Sequence, residues 1–252
     1  MTELLTAPRP AAPRLAARYQ PARVRALFDH LADTYAAAEW LSGGQLGRWR
    51  RALVAALRWP AAGPVRVVDL MAGGAELWPP LHHALGARLA VTAVDFSAAM
   101  LARAATQVAP GLTLVQADAL ATPLPAGQAD AVVCAFGLKT LAPSAYPALA
   151  AEAARLLRPG GQLALLEFDL PTRPWLRAPM LAYLRLLPAT LRHLCPEAAA
   201  HAALARYASA GTKWPLLLAA LEAAGFRVAR QQRLWPGCAR LVVARSLRCA
   251  PR

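Results

Sequence analysis

Residues 65–76, Val65-Arg66-Val67-Val68-Asp69-Leu70-Met71-Ala72-Gly73-Gly74-Ala75-Glu76, constrain the fold more than any other stretch. Three valines in four positions predict a strand covered on both faces. A carboxylate follows, then a turn of small residues that lets a ligand approach the backbone closely. A helix begins after the turn. An open α/β sheet holds a nucleotide-like ligand at this place, beyond the carboxyl end of its first strand.

The remaining pattern agrees with such a sheet. Strands are predicted at 65–70, 88–94, 112–116, 129–135 and 162–168, with helices at 76–86, 97–108 and 144–157 between them. Ser97 is a good N-cap. Strands at 226–234 and 239–245 follow a helix at 213–224. They read as an antiparallel pair, since Pro236-Gly237 is too short for a crossover. The expected class is therefore α/β, a doubly wound and mostly parallel seven-stranded sheet. Two helices, at 21–41 and 45–58, precede it as an N-terminal cap (21–60). Residues 171–210 break the alternation with several prolines and two apolar helical stretches, 180–187 and 198–208, and read as a helical insertion. Residues 1–20, with Pro8, Pro10 and Pro13, read as a disordered arm. Residues 21–252 read as one domain.

The hydrophobic fraction is 57%, but no uninterrupted run approaches the roughly 18 residues of a membrane span. The first twenty residues lack a signal-peptide core. Cys134, Cys195, Cys238 and Cys249 are far apart and show no zinc spacing, so free thiols and a cytoplasmic protein are expected. The net charge is +14, and Lys139 and Lys213 are the only lysines. Genome composition and weak attraction to an anionic membrane surface both account for that excess. Nucleic acid is disfavoured, because the arginines form no dense run with interleaved aromatics.

Only 14 residues are acidic, yet Asp69, Glu76, Asp95, Asp118 and Asp169 all fall at strand carboxyl ends or in the first turn. Asp95, at the end of the second strand, suits a grip on ribose hydroxyls. Asp118 can accept from an adenine amino group. There is no GxGxxG, and Glu76 beside a helix start would repel a pyrophosphate. These features favour a nucleoside with a positive end, and S-adenosylmethionine fits.

Several segments then bring a resemblance: Asp69-Leu-x-x-Gly73-x-x-Glu76; Val94-Asp95-Phe96-Ser97-x-x-Met100-Leu101; Ala117-Asp118-Ala119-Leu120; Phe136-Gly137-Leu138-Lys139; Leu157-Arg158-Pro159-Gly160-Gly161; and Leu166-Glu167-Phe168. Together with Val24-x-x-Leu27-Phe28-Asp29 and Ala224-Gly225-Phe226, they make residues 22–245 resemble the class I S-adenosylmethionine-dependent methyltransferases of the UbiE/MenG family. That family C-methylates the ring of ubiquinone and menaquinone precursors. The resemblance implies a Rossmann-like methyltransferase fold. It also implies a cofactor site drawn from Asp69, Met71, Gly73, Gly74, Glu76, Asp95, Phe96, Met100, Asp118, Ala119 and Phe136. The chain departs from the family pattern in the first loop, which usually ends Gly-Thr-Gly-Asp. It departs again at Lys139-Thr140, where Arg-Asn is usual, and at Ala36, where an acidic residue is usual.

Methyl transfer is an in-line displacement that depends on alignment and desolvation, and no metal cluster is expected. A ring carbon becomes nucleophilic when a neighbouring hydroxyl is deprotonated, so a cation that holds the phenolate is useful. Lys139, expected to face the cofactor, and Tyr35 on the cap helix are the candidate catalytic residues. A solvated Lys139 and a packing role for Tyr35 are the plain alternatives. The insertion, with Trp175, Met180, Tyr183 and Leu187, can line a pocket for an apolar aromatic or quinone-like substrate, form ordinary core, or touch a membrane. At the level of function, another S-adenosylmethionine-dependent transfer on a quinone, such as amination, and a non-catalytic binding subunit are the rival readings.

Overall fold

The computed structural model describes residues 21–35, 39, 41–106, 110–194 and 201–247. The expectations for the 1–20 arm and for Cys195 and Cys249 lie outside the described residues. So do those for 36–38 and for 107–109.

Seven strands form one sheet in the order β3-β2-β1-β4-β5-β7-β6. They are β1 (Val65–Leu70), β2 (Leu89–Asp95), β3 (Leu112–Gln116), β4 (Ala129–Ala135), β5 (Leu157–Phe168), β6 (Phe226–Leu234) and β7 (Ala239–Ser246). β1 to β5 run parallel, and β7 lies antiparallel between β5 and β6. The strand order reverses beside β1, so the crevice at its carboxyl end is the place for a ligand. Eight α-helices accompany the sheet among the described residues: α1 (Pro21–Leu31), α2 (Gln45–Ala56), α3 (Trp78–Leu85), α4 (Ala98–Ala105), α5 (Tyr146–Leu156), α6 (Pro174–Leu194), α7 (His201–Ala210) and α8 (Trp214–Ala223).

The valines of β1 divide between two cores, as a strand with side chains on alternate faces requires. Val65 and Val67 pack with Trp49, Leu53 and Val54 of α2 and with Leu81 of α3. Val68 and Leu70 pack with Tyr146 and Leu149 of α5 and with Trp214 and Leu217 of α8. The second cap helix, α2, is thus part of the core.

Three local details differ from the sequence expectation. First, α3 starts at Trp78, so Pro79 and Pro80 occupy its first turn, where a missing N–H costs nothing. Ala75 and Glu76 consequently stay in the preceding turn. Second, β5 begins at Leu157, and Arg158-Pro159-Gly160-Gly161 is carried as a bulge. Ala129 pairs with Leu157, while Ala131 already pairs with Gln162. A Cβ on Gly161 would sit 2.9 Å from the Arg158 carbonyl oxygen, so the bulge needs glycine there. Third, the first helix of the insertion, expected at 180–187, is the 21-residue α6, which runs through Pro179 and Pro188. It packs along α7, and this tertiary contact outweighs the lost backbone bonds.

Candidate functional site

Asp69 and Asp95 are neighbours across the switch point, since Asp69 pairs with Ala93 two residues before Asp95. Both side chains are buried. They open on one cavity with Tyr35, Met71, Gly73, Glu76, Phe96, Asp118, Ala119 and Phe136. Ten residues named from sequence therefore converge on one space. Gly74 and Met100 do not line it. Met100 is fully buried under the loop, its Cε 3.2 Å from where a Gly73 Cβ would stand. A Cβ on Gly74 would meet Glu76 Oε1 at 2.6 Å, so this glycine makes room for the turn's own carboxylate. Lys139 is not on this wall either; it lines the cavity next door.

The turn is built on strain and on Asp95. Among the described residues Met71, Ala75 and Phe136 are the non-glycine residues with left-handed φ, at 58°, 60° and 63°; Met71 and Phe136 line this space, and Ala75 is buried in the turn beside it. Each costs about 1–2 kcal/mol, a load that concentrates at functional sites. Asp95 holds the turn in place: the Gly73 N–H donates to its Oδ2 at 2.8 Å and the Ser97 N–H to its Oδ1 at 2.9 Å. Ser97 caps α4 by accepting from the Met100 N–H at 3.1 Å and donates its hydroxyl to Asp29 at 2.5 Å. That last bond ties α1 to the rim. Asp118 accepts from the Leu120 N–H at 2.9 Å and stays exposed.

Burial raises the proton affinity of the carboxylates. Asp69 is held well above the usual carboxylate range by burial first, then by Glu76 and Asp95. Glu76 and Asp95 are also raised by burial; at Glu76 the Arg50 charge and then backbone N–H groups oppose the shift, and at Asp95 backbone N–H groups do. Glu76 Oε1 is buried without a hydrogen-bond partner, and Arg103 Nε lies 4.0 Å away. Such a group of carboxylates calls for a ligand with a positive charge.

Arg50 was not legible as a site residue, yet it lies on the wall of the same cavity. It is buried on α2, donates from Nη1 to Glu39 Oε2 at 2.8 Å, and stands 5.5 Å from the Phe136 ring centroid. The one available signal was an arginine four residues before Val54, on the apolar stripe of its helix. Asp169, grouped with the site acids by position, instead pairs with Arg240 and Arg233 at 2.8 and 3.1 Å and fastens β5 to the β6–β7 pair.

A second cavity, about 360 Å³, adjoins the first and shares Phe28, Tyr35 and Phe136 with it. Its wall is mostly apolar, from Leu46 and Trp49 of α2, Phe168, Met180 and Leu184 of α6, and Ala205 and Ala208 of α7. Lys139 is the cation among its described lining residues. Its Nζ lies 3.3 Å from Glu167 Oε1 and also donates to the Phe136 carbonyl. Glu167 is fully buried and accepts from the Lys139 N–H at 3.0 Å and the Phe168 N–H at 2.7 Å. The Tyr35 hydroxyl is raised by burial and then by Glu76, so it is protonated at neutral pH. The geometry suits a reaction between a cationic nucleoside and an apolar molecule, brought together at Phe136 and Tyr35.

Comparison with known proteins gives the same answer. A methyltransferase-domain family model matches residues 67–161. The ubiquinone/menaquinone biosynthesis C-methyltransferase UbiE of Syntrophotalea carbinolica is 34% identical over 224 residues, 87% of this chain and 92% of that protein. The demethylmenaquinone methyltransferase of Mycolicibacterium vanbaalenii is 34% identical over 89% of this chain and 95% of its own length. A solved S-adenosylmethionine-dependent methyltransferase from Mesorhizobium loti superposes with a TM-score of 0.54 at 20% identity, covering 81% of this chain and 99% of that one, which speaks to the fold alone. With its carboxylate-lined switch point, the chain belongs to the UbiE/demethylmenaquinone methyltransferase family of class I S-adenosylmethionine-dependent enzymes.

Proposed function

We propose that this enzyme methylates a ring carbon of a quinone precursor, or of a similar apolar aromatic molecule, with S-adenosylmethionine as methyl donor. One observation carries the reading: a carboxylate-lined cavity and an apolar cavity adjoin at Phe28, Tyr35 and Phe136. The residues present fit the cofactor. Asp69 and Glu76, the latter with an unpartnered buried oxygen, suit its ammonium. Each Asp95 oxygen has accepted one backbone N–H and keeps a lone pair for a ribose hydroxyl. Phe96, Asp118 and Ala119 suit the adenine. When bound, the sulfonium supplies an activated methyl and a neutral leaving group.

The protein's share is alignment, desolvation and charge. Phe28, Trp49 and Leu184 exclude water from the acceptor. Lys139, fixed by Glu167, stands where its ammonium can hold a phenolate and so raise electron density on the ring. Tyr35, protonated at the junction, offers a hydrogen-bond donor to the acceptor. A substrate of this class resides in a bilayer, and the +14 charge supports weak attraction of the protein to an anionic membrane surface.

Two measurements test the reading. Calorimetry with S-adenosylmethionine should give one site per chain, and no heat would remove the enzyme reading. Mass analysis of quinones from cells lacking the gene should reveal a demethyl-quinone. An unchanged quinone profile would refute the substrate.

A further inference from the structure

The helix that walls the apolar cavity has a second face. Met180, Leu184 and Leu187 of α6 turn inward to the cavity. Trp175, Pro179, Ala182 and Leu186 follow one another at i, i+4, i+7 and i+11, so they form one stripe along the helix. All four are exposed, Trp175 at 66% and Leu186 at 65%. An apolar stripe on the solvent side of an amphipathic helix has no use in the fold itself. Beside the same cavity, in the β6–β7 turn, Trp235 is 74% exposed and its neighbour Pro236 lines the cavity.

The charges around this surface have one sign. Arg185 is exposed about a quarter turn from the stripe, Arg177 is exposed on the far side of the helix from it, and α6 contains no Asp or Glu. The nearest acid in sequence, Asp169, is taken by Arg233 and Arg240. Indole rings with arginines along an amphipathic helix match the interface of an anionic bilayer, where rings sit at headgroup depth and guanidinium groups meet phosphate. A second copy of the chain is a poorer occupant, because two like patches on +14 chains repel.

We propose that the outward stripe of α6, with Trp235 of the β6–β7 turn, docks this protein on an anionic lipid bilayer, so that the apolar cavity behind α6 fills from the membrane. The inference rests on the apolar-substrate reading and adds the surface that serves it.

The test is co-sedimentation with vesicles of phosphatidylcholine alone and of equal parts phosphatidylcholine and phosphatidylglycerol, with no substrate or cofactor present. The full chain should bind the anionic vesicles and much less the neutral ones. Trp175→Ser/Leu186→Ser should weaken that binding roughly tenfold or more by removing the inserted apolar groups. Arg185→Glu should weaken it by removing the attraction, and Arg177→Glu on the far side of the helix should change it less. All four side chains are exposed, so affinity for S-adenosylmethionine should be unchanged in all these variants and certifies the fold. Three results would overturn the proposal: no binding of the wild type to anionic vesicles, binding that neither Trp175→Ser/Leu186→Ser nor Arg185→Glu alters, or a dimer in sedimentation velocity that Trp175→Ser/Leu186→Ser dissociates. Cofactor binding without vesicle binding defeats the docking surface alone. Vesicle binding without cofactor binding defeats the methyltransferase reading alone.

Discussion

Asp69, Glu76 and Asp95 sit buried at one strand end, and each holds its proton more tightly than a free carboxylate. The sign of the linkage follows. A carboxylate with a raised folded-state pKa binds more protons in the folded state, so its contribution to stability is present at low pH and is lost as pH rises above the ordinary carboxylate range. A cationic ligand needs the charged form, so S-adenosylmethionine should bind more tightly as pH rises through that window and should release protons on binding. Calorimetry in buffers of different ionisation enthalpy measures the release, and uptake of protons would contradict the site. For the same reason Asp69→Asn should raise the free energy of unfolding by about 0.5–2 kcal/mol, the range typical of strain relieved at a working site, while abolishing cofactor affinity. Asp95→Ala should lose affinity and also about 1–3 kcal/mol of stability, since the Gly73 and Ser97 N–H groups lose their acceptor. That Asp95 opens on the cavity was legible because it depends on position along a strand. Its structural role was not, because it depends on where the turn at Gly73 closes in space. Arg50 shows the same limit. It reaches the cavity through the packing of α2 on the sheet, which residue spacing does not encode. Ala75 shows why the altered first loop survives: its methyl is buried, and the gain of about 0.8 kcal/mol offsets much of the left-handed backbone cost.

The ends of β4 and β5 are joined through one buried ion pair. Glu167 takes the Lys139 ammonium and two backbone N–H groups, so it connects the short turn at Leu138–Thr140 to β5. Glu167→Ala would leave the Lys139 charge buried and unpaired, and should cost about 3–5 kcal/mol in denaturant unfolding. Lys139→Met should leave affinity for S-adenosylmethionine intact, because Lys139 lines the other cavity, and should lower turnover about 100- to 1000-fold if its charge holds the acceptor phenolate. Unchanged turnover would reduce Lys139 to a structural partner of Glu167. Strand and crossover-helix positions were legible to within a few residues, because apolar periodicity reports burial directly. α6 was not. Pro179 and Pro188 are local stop signals, and only packing against α7 explains why the helix continues through them.

For the molecule as a whole, cofactor binding to the folded chain alone should raise its melting temperature. At a hundredfold excess over Kd the gain is about 2.7 kcal/mol, or about 5–10 °C for a chain of this size. A melting curve that S-adenosylmethionine does not move would show that the carboxylate cavity does not hold it. The strand order has a separate consequence for how the protein comes into being. β7 lies inside the sheet, between β5 and β6, and its central residues Leu241, Val242 and Val243 are buried. On a ribosome the chain emerges from its N-terminus, and β5 is complete 70 residues, 169–238, before β7 begins. Throughout that interval the β5 edge is bare, and β6 has no strand to pair with. The cofactor half, β1 to β4, has its partners early and can assemble during synthesis, whereas the other half must wait for β7. A nascent chain stalled after β6 should therefore expose a sticky sheet edge and recruit chaperones.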